Sequence, residues 1–573
     1  MTVRAWLPWM MAGATLSLAT ALSTTSASAQ SLEGLSEREI VVDFDDSASE
    51  SEVRDAAREA GVELVANSYL AGQDRIYRGR VGATASLANV LDRLRSRSSV
   101  RAADENIVMR ATWTPNDPQL GDQWGLTRVH APAAWDTTCG RGVTVAVVDT
   151  GVACENHGEF TRVMDLAGTR CALGYNFVND TNHANDDQGH GTHVAGTIAQ
   201  TTNNNFGVAG IAHCATIVPV KVLDERGRGT LADVAEGIRF AADAGAQVIN
   251  LSLGGGRRVK VLEEAVAYAR GRGAIVVCAA GNNGRYVESP ASEPGAFAVS
   301  AVSAASDDIA YFSSRGPEVD IAAPGVNILQ QTICNRGRDR CEQFASWSGT
   351  SMAAPHVAGV AALLVGVGVT DPSAIERTLQ ASASRPENGS TDKELYGSGV
   401  LDASAAVRRA VDTSAMFRAI ALAVLATLTF ARIRVRGGKL ANPLAWAPLA
   451  FFTSVGLWFL PKYVAHGTPG LELLSRPLGD WSQLLGVGVH KWLPFANAAL
   501  PMLLVGVLFS RPSLRAPVGG FALGTAAFLL GTLATGYHRA PFGSLAGFVW
   551  MTLNALICLW VARIGLDRES EKN

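Results

Sequence analysis

From about residue 412 onward the chain is apolar in a way that leaves few folds open. Five segments, residues 414–431, 442–460, 493–510, 516–537 and 546–566, are rich in Leu, Ala, Val and Phe and hold almost no charge. Each is near the length of about 20 residues that a helix needs to cross the hydrocarbon core of a bilayer. Backbone polar groups cannot be left unpaired there, so helices are the natural solution. The expectation is an all-α, multi-pass membrane domain of about five helices over residues 412–573. Arg432, Arg434, Arg436 and Lys439 follow the first segment, and Arg511 and Arg515 follow the third. Basic residues in short loops mark the cytoplasmic side, which leaves everything before residue 412 outside. Gly520 and Gly524 lie four apart, a spacing that lets helices pack closely. Arg418 and Arg563 stand near segment ends, where a long side chain snorkels towards water. A proton- or ion-coupled transporter needs buried charges, so that class is disfavoured.

The other end of the chain agrees with this orientation. Residues 1–29 carry Arg4, an apolar run and Ala27-Ser28-Ala29, the pattern of a secretory signal cleaved before Gln30. Eight cysteines in an exported chain are candidates for pairing. Cys334 with Cys341 and Cys154 with Cys171 flank short loops, Cys139 with Cys214 is the remaining pair, and Cys278 sits in an apolar run as a free core thiol. A net charge of −3 carries no nucleic-acid footprint.

Between these ends the pattern is that of soluble α/β protein. Residues 39–110 read as β-α-β-β-α-β, with Leu87, Val90, Leu91 and Leu94 on one face of the second helix. After residue 111, β-branched runs alternate with helical patterns, which implies a parallel sheet covered by helices on both faces. Val143 to Val148 is such a run and delivers Asp149 at its C-terminal end, where α/β sheets place their sites. Gln188-Gly189-His190-Gly191-Thr192-His193 opens a small-residue helix. Gly349-Thr350-Ser351-Met352-Ala353-Ala354-Pro355-His356 opens another, with Ser351 in its first turn and Pro355 where few N–H groups are lost. A serine is inert without a base, and the base needs an orienting carboxylate. Asp149, His190 and Ser351 supply the three in that order.

These three motifs resemble those of subtilisin-like serine proteases of the thermitase and subtilisin type, and the resemblance covers roughly residues 36–411. It implies a catalytic triad of Asp149, His190 and Ser351, with Asn282 in Ala280-Gly281-Asn282-Asn283-Gly284 as the oxyanion donor. Ser252, Leu253 and Gly254 resemble the strand that pairs with substrate, and Glu288 falls at the floor of the first specificity pocket. His193 and His356 are expected to be packed structural histidines. The loop around Asn203-Asn204-Asn205 resembles a structural Ca²⁺ site. Its implied ligands are the Asn204 side chain, the carbonyls of Thr202, Phe206 and Val208, and the carboxylates of Asp117 and Glu159, the last after a one-residue insertion near Cys154. Oxygen-only ligation suits this ion; no redox or organic cofactor is expected. Residues 30–110 resemble an inhibitory prodomain, with autocleavage expected between Arg110 and Ala111, and residues 111–411 the catalytic domain.

The expected function is therefore a membrane-tethered, extracytoplasmic serine endopeptidase. It would be made as a self-processed zymogen, act on proteins or peptides, and have the lipid bilayer and its own prodomain as partners. The alternative is a protease-fold sensor or binding module whose membrane domain carries the main function.

Overall fold

The computed structural model describes residues 38–68, 70–82, 85–106, 113–462, 464, 470–481, 497–538 and 544–567. The predicted signal segment and the predicted cleavage point at Arg110 and Ala111 lie outside them. The chain divides into two compact units after Ala111.

The first unit is a four-stranded antiparallel sheet of β1 (Glu39–Phe44), β2 (Leu64–Ala66), β3 (Ile76–Arg80) and β4 (Val100–Glu105), in the order β2-β3-β1-β4. Helices α1 (Glu50–Ala60) and α2 (Leu87–Arg95) lie between strands as the alternation predicts. The Ser49 hydroxyl and the Glu52 carboxylate form a capping box that starts α1, because each satisfies an otherwise unpaired N–H group of the other residue. Ile40, Val42, Phe44, Val53, Tyr77 and Leu94 fill the core between sheet and helices.

The second unit is built on a parallel sheet. Its strands are β5 (Thr144–Asp149), β6 (Arg170–Cys171), β7 (Tyr175–Asn176), β8 (Thr216–Lys221), β9 (Val248–Leu251), β10 (Ile275–Ala279), β11 (Ala296–Val302) and β12 (Val319–Pro324). The order is β12-β11-β10-β9-β5-β8-β6, with β7 also on β8. One apolar layer contains α3 (His190–Ala199) and α6 (Thr350–Gly366); the other contains α4 (Leu231–Asp243) and α5 (Lys260–Arg272). Residues on both faces of β5, β9 and β10 are buried, which is why these strands read as unbroken apolar runs. The disulfides are Cys139–Cys214, Cys154–Cys171 and Cys334–Cys341, and Cys278 is a buried free thiol.

Pro355 lies in the second turn of α6, not the first, so it does remove a backbone hydrogen bond. The carbonyl left over is that of Ser351, and it accepts the Ser252 hydroxyl at 2.7 Å. The cost of the proline is offset by a side chain from β9's end.

The apolar region departs from expectation in three ways. Its first helix is not separate from the soluble module: α7 (Ala403–Val435) runs 33 residues without a break, since no Gly or Pro interrupts it. Three helices among the described residues are long and apolar enough to cross a membrane: α7, α10 (Pro512–Thr535) and α11 (Ser544–Leu566). The other two apolar segments hold shorter helices, α8 (Pro443–Ser454) and α9 (Ala499–Leu508). The Gly520/Gly524 pair does make a close packing contact. A Cβ on either would lie 2.2 Å from the Trp446 carbonyl oxygen or 2.4 Å from that of Ala450, so only glycine lets α10 lie on α8. Arg418 does not snorkel. It is 4% exposed and donates to Asp480 Oδ2 at 3.2 Å, a pairing that its segment's sequence gives no sign of.

Candidate active site

The site sits at the C-terminal edge of the parallel sheet. Asp149 is the last residue of β5 and fully buried. Its Oδ1 accepts the Thr150 N–H at 2.7 Å and lies 2.7 Å from His190 Nδ1. His190 is the first residue of α3, half-buried at the site. Burial works to lower the pKa of its imidazole, but the Asp149 carboxylate outweighs this and the balance is upward. A carboxylate on Nδ1 leaves Nε2 as the nitrogen able to take a proton.

Ser351 occupies the first turn of α6. Its hydroxyl makes no hydrogen bond among the described residues; its backbone is what positions it, through the carbonyl bond to Ser252. Asn282 follows β10 and is oriented by α6 itself. Its Oδ1 accepts the Thr350 N–H at 2.9 Å and the Thr350 hydroxyl at 3.0 Å. With Oδ1 held, Asn282 is exposed beside the head of α6, and its Nδ2 makes no hydrogen bond among the described residues.

Two groups that support the site have no clear motif in the sequence. Asp186 is fully buried and accepts from Thr150 Oγ1, Gln188 N, Gly189 N, Thr192 N and Thr192 Oγ1 at 2.6–3.0 Å. It ties the strand end carrying Asp149 to the turn carrying His190. Lys221, at the end of β8, donates to the Thr150 carbonyl and to Asp187 Oδ1, both at 2.7 Å. The only sequence signal was two consecutive acids just before Gly189-His190.

His193 and His356 pack as the sequence led us to expect. His193 stacks on Trp347 with ring centroids 4.6 Å apart, and its Nε2 donates to the carbonyls of Ile328 and Ala345. Burial pushes its pKa down to about 3 and that of His356 down to about 4. Burial thus favours the neutral form of both rings.

Of the residues assigned to substrate, Ser252 is buried and serves the backbone of Ser351. Leu253 and Gly254 continue from it along the open edge of the site. Glu288 is half-buried, and its Oε1 accepts from Asn283 Nδ2 at 2.9 Å. A Cβ on Gly281 would come within 2.6 Å of Glu288 Oε2, and one on Gly254 within 3.4 Å. The carboxylate thus lies between the residue before Asn282 and Gly254, in the segment that follows β9. No Lys or Arg pairs with it among the described residues.

The candidate metal ligands are not all brought together. Asp117, 4% exposed, accepts the N–H groups of Asn203 and Asn204 at 2.8–3.3 Å. Glu159 stands apart, exposed and paired with Arg338 at 2.8 Å. The carboxylate at the loop is Asp165 instead, which accepts from Asn204 Nδ2 at 2.7 Å and Val208 N at 3.0 Å. Asp165 lies six positions after Glu159 in the segment between Cys154 and Cys171. Burial raises the pKa of Asp117, and pushes that of Asp165 up to about 7, with Asp117 adding to the effect. Two buried carboxylates, with no cationic side chain paired to them among the described residues and with backbone and amide oxygens beside them, form a donor set that fits Ca²⁺.

The family model described as subtilase family (peptidase S8) matches residues 140–399. The chain is 41% identical over 347 residues to a thermophilic serine proteinase of Bacillus sp. (strain AK1), covering 59% of this chain and 81% of that protein. It is 45% identical over 258 residues to thermitase of Thermoactinomyces vulgaris, covering 45% of this chain and 87% of thermitase. With subtilisin BL of Lederbergia lenta it shares 41% identity over 287 residues, which is 50% of this chain and 98% of that one. On the fold and these relationships, the chain belongs to the subtilase family and is a serine endopeptidase.

Proposed function

We propose that the chain is a membrane-tethered, extracytoplasmic endopeptidase in which Ser351, His190 and Asp149 form the catalytic triad. The 2.7 Å contact between Asp149 and His190, at the sheet edge where α6 presents Ser351, carries this reading. Ser351 Oγ attacks the peptide carbonyl, His190 Nε2 takes its proton, and Asp149 holds the imidazole in the required tautomer. Asn282 Nδ2 and the Ser351 N–H receive the developing oxyanion. His190 then returns the proton to the leaving amine, and water repeats the sequence on the acyl-enzyme. Residues 30–110 act as an inhibitory prodomain, a role supported by their separate compact sheet and by the division of the chain after Ala111. Cleavage between Arg110 and Ala111 would free the catalytic domain. The tether is supported by the apolar length of α7, α10 and α11 and by the basic residues after α7.

A fluorophosphonate probe tests this directly. It should label a membrane-bound species at Ser351, with the label absent from the Ser351→Ala chain. Labelled protein found only in the soluble fraction would remove the tether, and no labelling would remove the triad.

Asp117, Asp165, Asn204 and the carbonyls of Thr202, Phe206 and Val208 would hold Ca²⁺, which when bound neutralises the two buried carboxylates and stiffens the loop. Chelation should then lower the melting temperature of the catalytic module in the full-length protein by about 5 °C, the effect of losing an ion present well above its Kd. In the Asp165→Ala chain that shift should shrink towards zero. An unchanged melting curve in excess chelator would remove the metal site.

A further inference from the structure

The soluble module meets the apolar helices at the end of the sheet opposite the active site, and two elements with opposite ends in different places establish this. Helix α6 presents Ser351 in its first turn. Just past its other end, a Cβ on Gly368 would stand 3.5 Å from His538 Cε1 and 3.6 Å from the Asp480 carboxylate. The N–H groups of Thr370 and Asp371 donate to the Tyr537 carbonyl at 2.7 and 3.0 Å. Strand β5 repeats the polarity. Asp149 ends it, whereas Arg141, shortly before its start, pairs with Glu472 at 3.1 Å. Tyr537 and His538 directly follow α10, whose 24 residues extend about 36 Å and suffice to cross a bilayer.

The junction is also stiff. Helix α7 passes from one module into the other without a break. On it, the buried Arg418 donates to Asp480 and lies over the Phe528 ring at 4.3 Å. His538 Nε2 is 3.6 Å from Asp480 Oδ1. Such a buried ion cluster is strongly disfavoured once a partner leaves, so it holds the loop containing Asp480, helix α7 and the end of α10 in one arrangement.

We propose that this junction holds the cleft at a fixed height above the outer membrane face and pointing away from it. The enzyme would then select scissile bonds that stand clear of the bilayer: segments of exported soluble proteins and the outer parts of surface proteins, not juxtamembrane stalks. The 17 residues of α6 put about 25 Å of helix between the Ser351 end and the junction end. The proposal rests on the membrane-tethered reading above.

Proteoliposomes containing the full-length protein and single-span reporters test it. Each reporter carries one peptide segment that the enzyme hydrolyses in free form, joined to the outer end of its anchor by five or by twenty Gly/Ser residues. Five residues reach at most about 18 Å, whereas twenty average about 25 Å and extend much further, so the short reporter should be cut at least about tenfold more slowly. A second chain, with ten Gly/Ser residues inserted after Asp412 and Asp480→Asn, should cut both at similar rates while hydrolysing free peptide normally. Equal cleavage of both reporters by the unmodified chain would overturn the proposal, as would undiminished discrimination by the loosened chain. Failure to hydrolyse free peptide, or to stay with the liposomes, would instead sink the catalytic or tethered reading beneath it.

Discussion

Replacing Ser351 by alanine is expected to lower peptide turnover about 10⁶-fold, the scale of the loss when a subtilisin is deprived of its nucleophile. The fold should be untouched. The Ser351 hydroxyl makes no hydrogen bond among the described residues, and the links that shape the turn run through other groups: Ser252 to the Ser351 carbonyl, and Thr350 to Asn282. Alanine keeps all of them and is a good helix former. The variant should therefore accumulate as a folded chain with its prodomain attached, because cleavage between Arg110 and Ala111 depends on the same nucleophile. Steady-state hydrolysis and N-terminal sequencing read the two effects separately. A variant that lost turnover but was still cut after Arg110 would assign processing to another protease.

Glu288→Gln is expected to cost roughly 30- to 900-fold in kcat/KM for peptides with Arg or Lys on the acyl side of the cut, equivalent to about 2–4 kcal/mol. Peptides with Leu there should be little affected. The reason is positional. The Glu288 carboxylate lies against Gly281 and Gly254, and of its two oxygens one is engaged by Asn283 while no cation neutralises it among the described residues. A basic side chain entering beside Asn282 would supply the missing charge through a charge-assisted hydrogen bond. Arg110, at the expected self-cleavage point, has that chemistry. Comparing the two peptide classes on both chains checks it, and a preference left unchanged by the substitution would mean that the carboxylate does not face the bound side chain.

The chain itself determined the class of enzyme, because each catalytic element is local. An apolar β-branched run reads as a buried strand, its last residue emerges at the sheet edge, and Gly189, at φ +106°, permits the turn from which His190 opens a helix. Cys154–Cys171 and Cys334–Cys341 were suggested for a similar reason, since each flanks a short loop, whereas Cys139–Cys214 was only the remaining pair. Groups whose partners are distant in sequence had to wait for the tertiary structure. Asp186 gains meaning only when Thr150 and Thr192 converge on it, and Ser252 only when a proline frees a carbonyl almost a hundred residues away. Asp165, and not Glu159, is found beside Asn204 and Val208, a proximity that counting along the loop does not show. Arg418 stays buried because Asp480, from a later loop, folds back to meet it. The continuity of α7 belongs with these. The change from soluble to apolar composition near residue 412 marks a change of solvent, but a helix with no Gly or Pro passes through that boundary, and only the packed structure fixes what lies at its two ends.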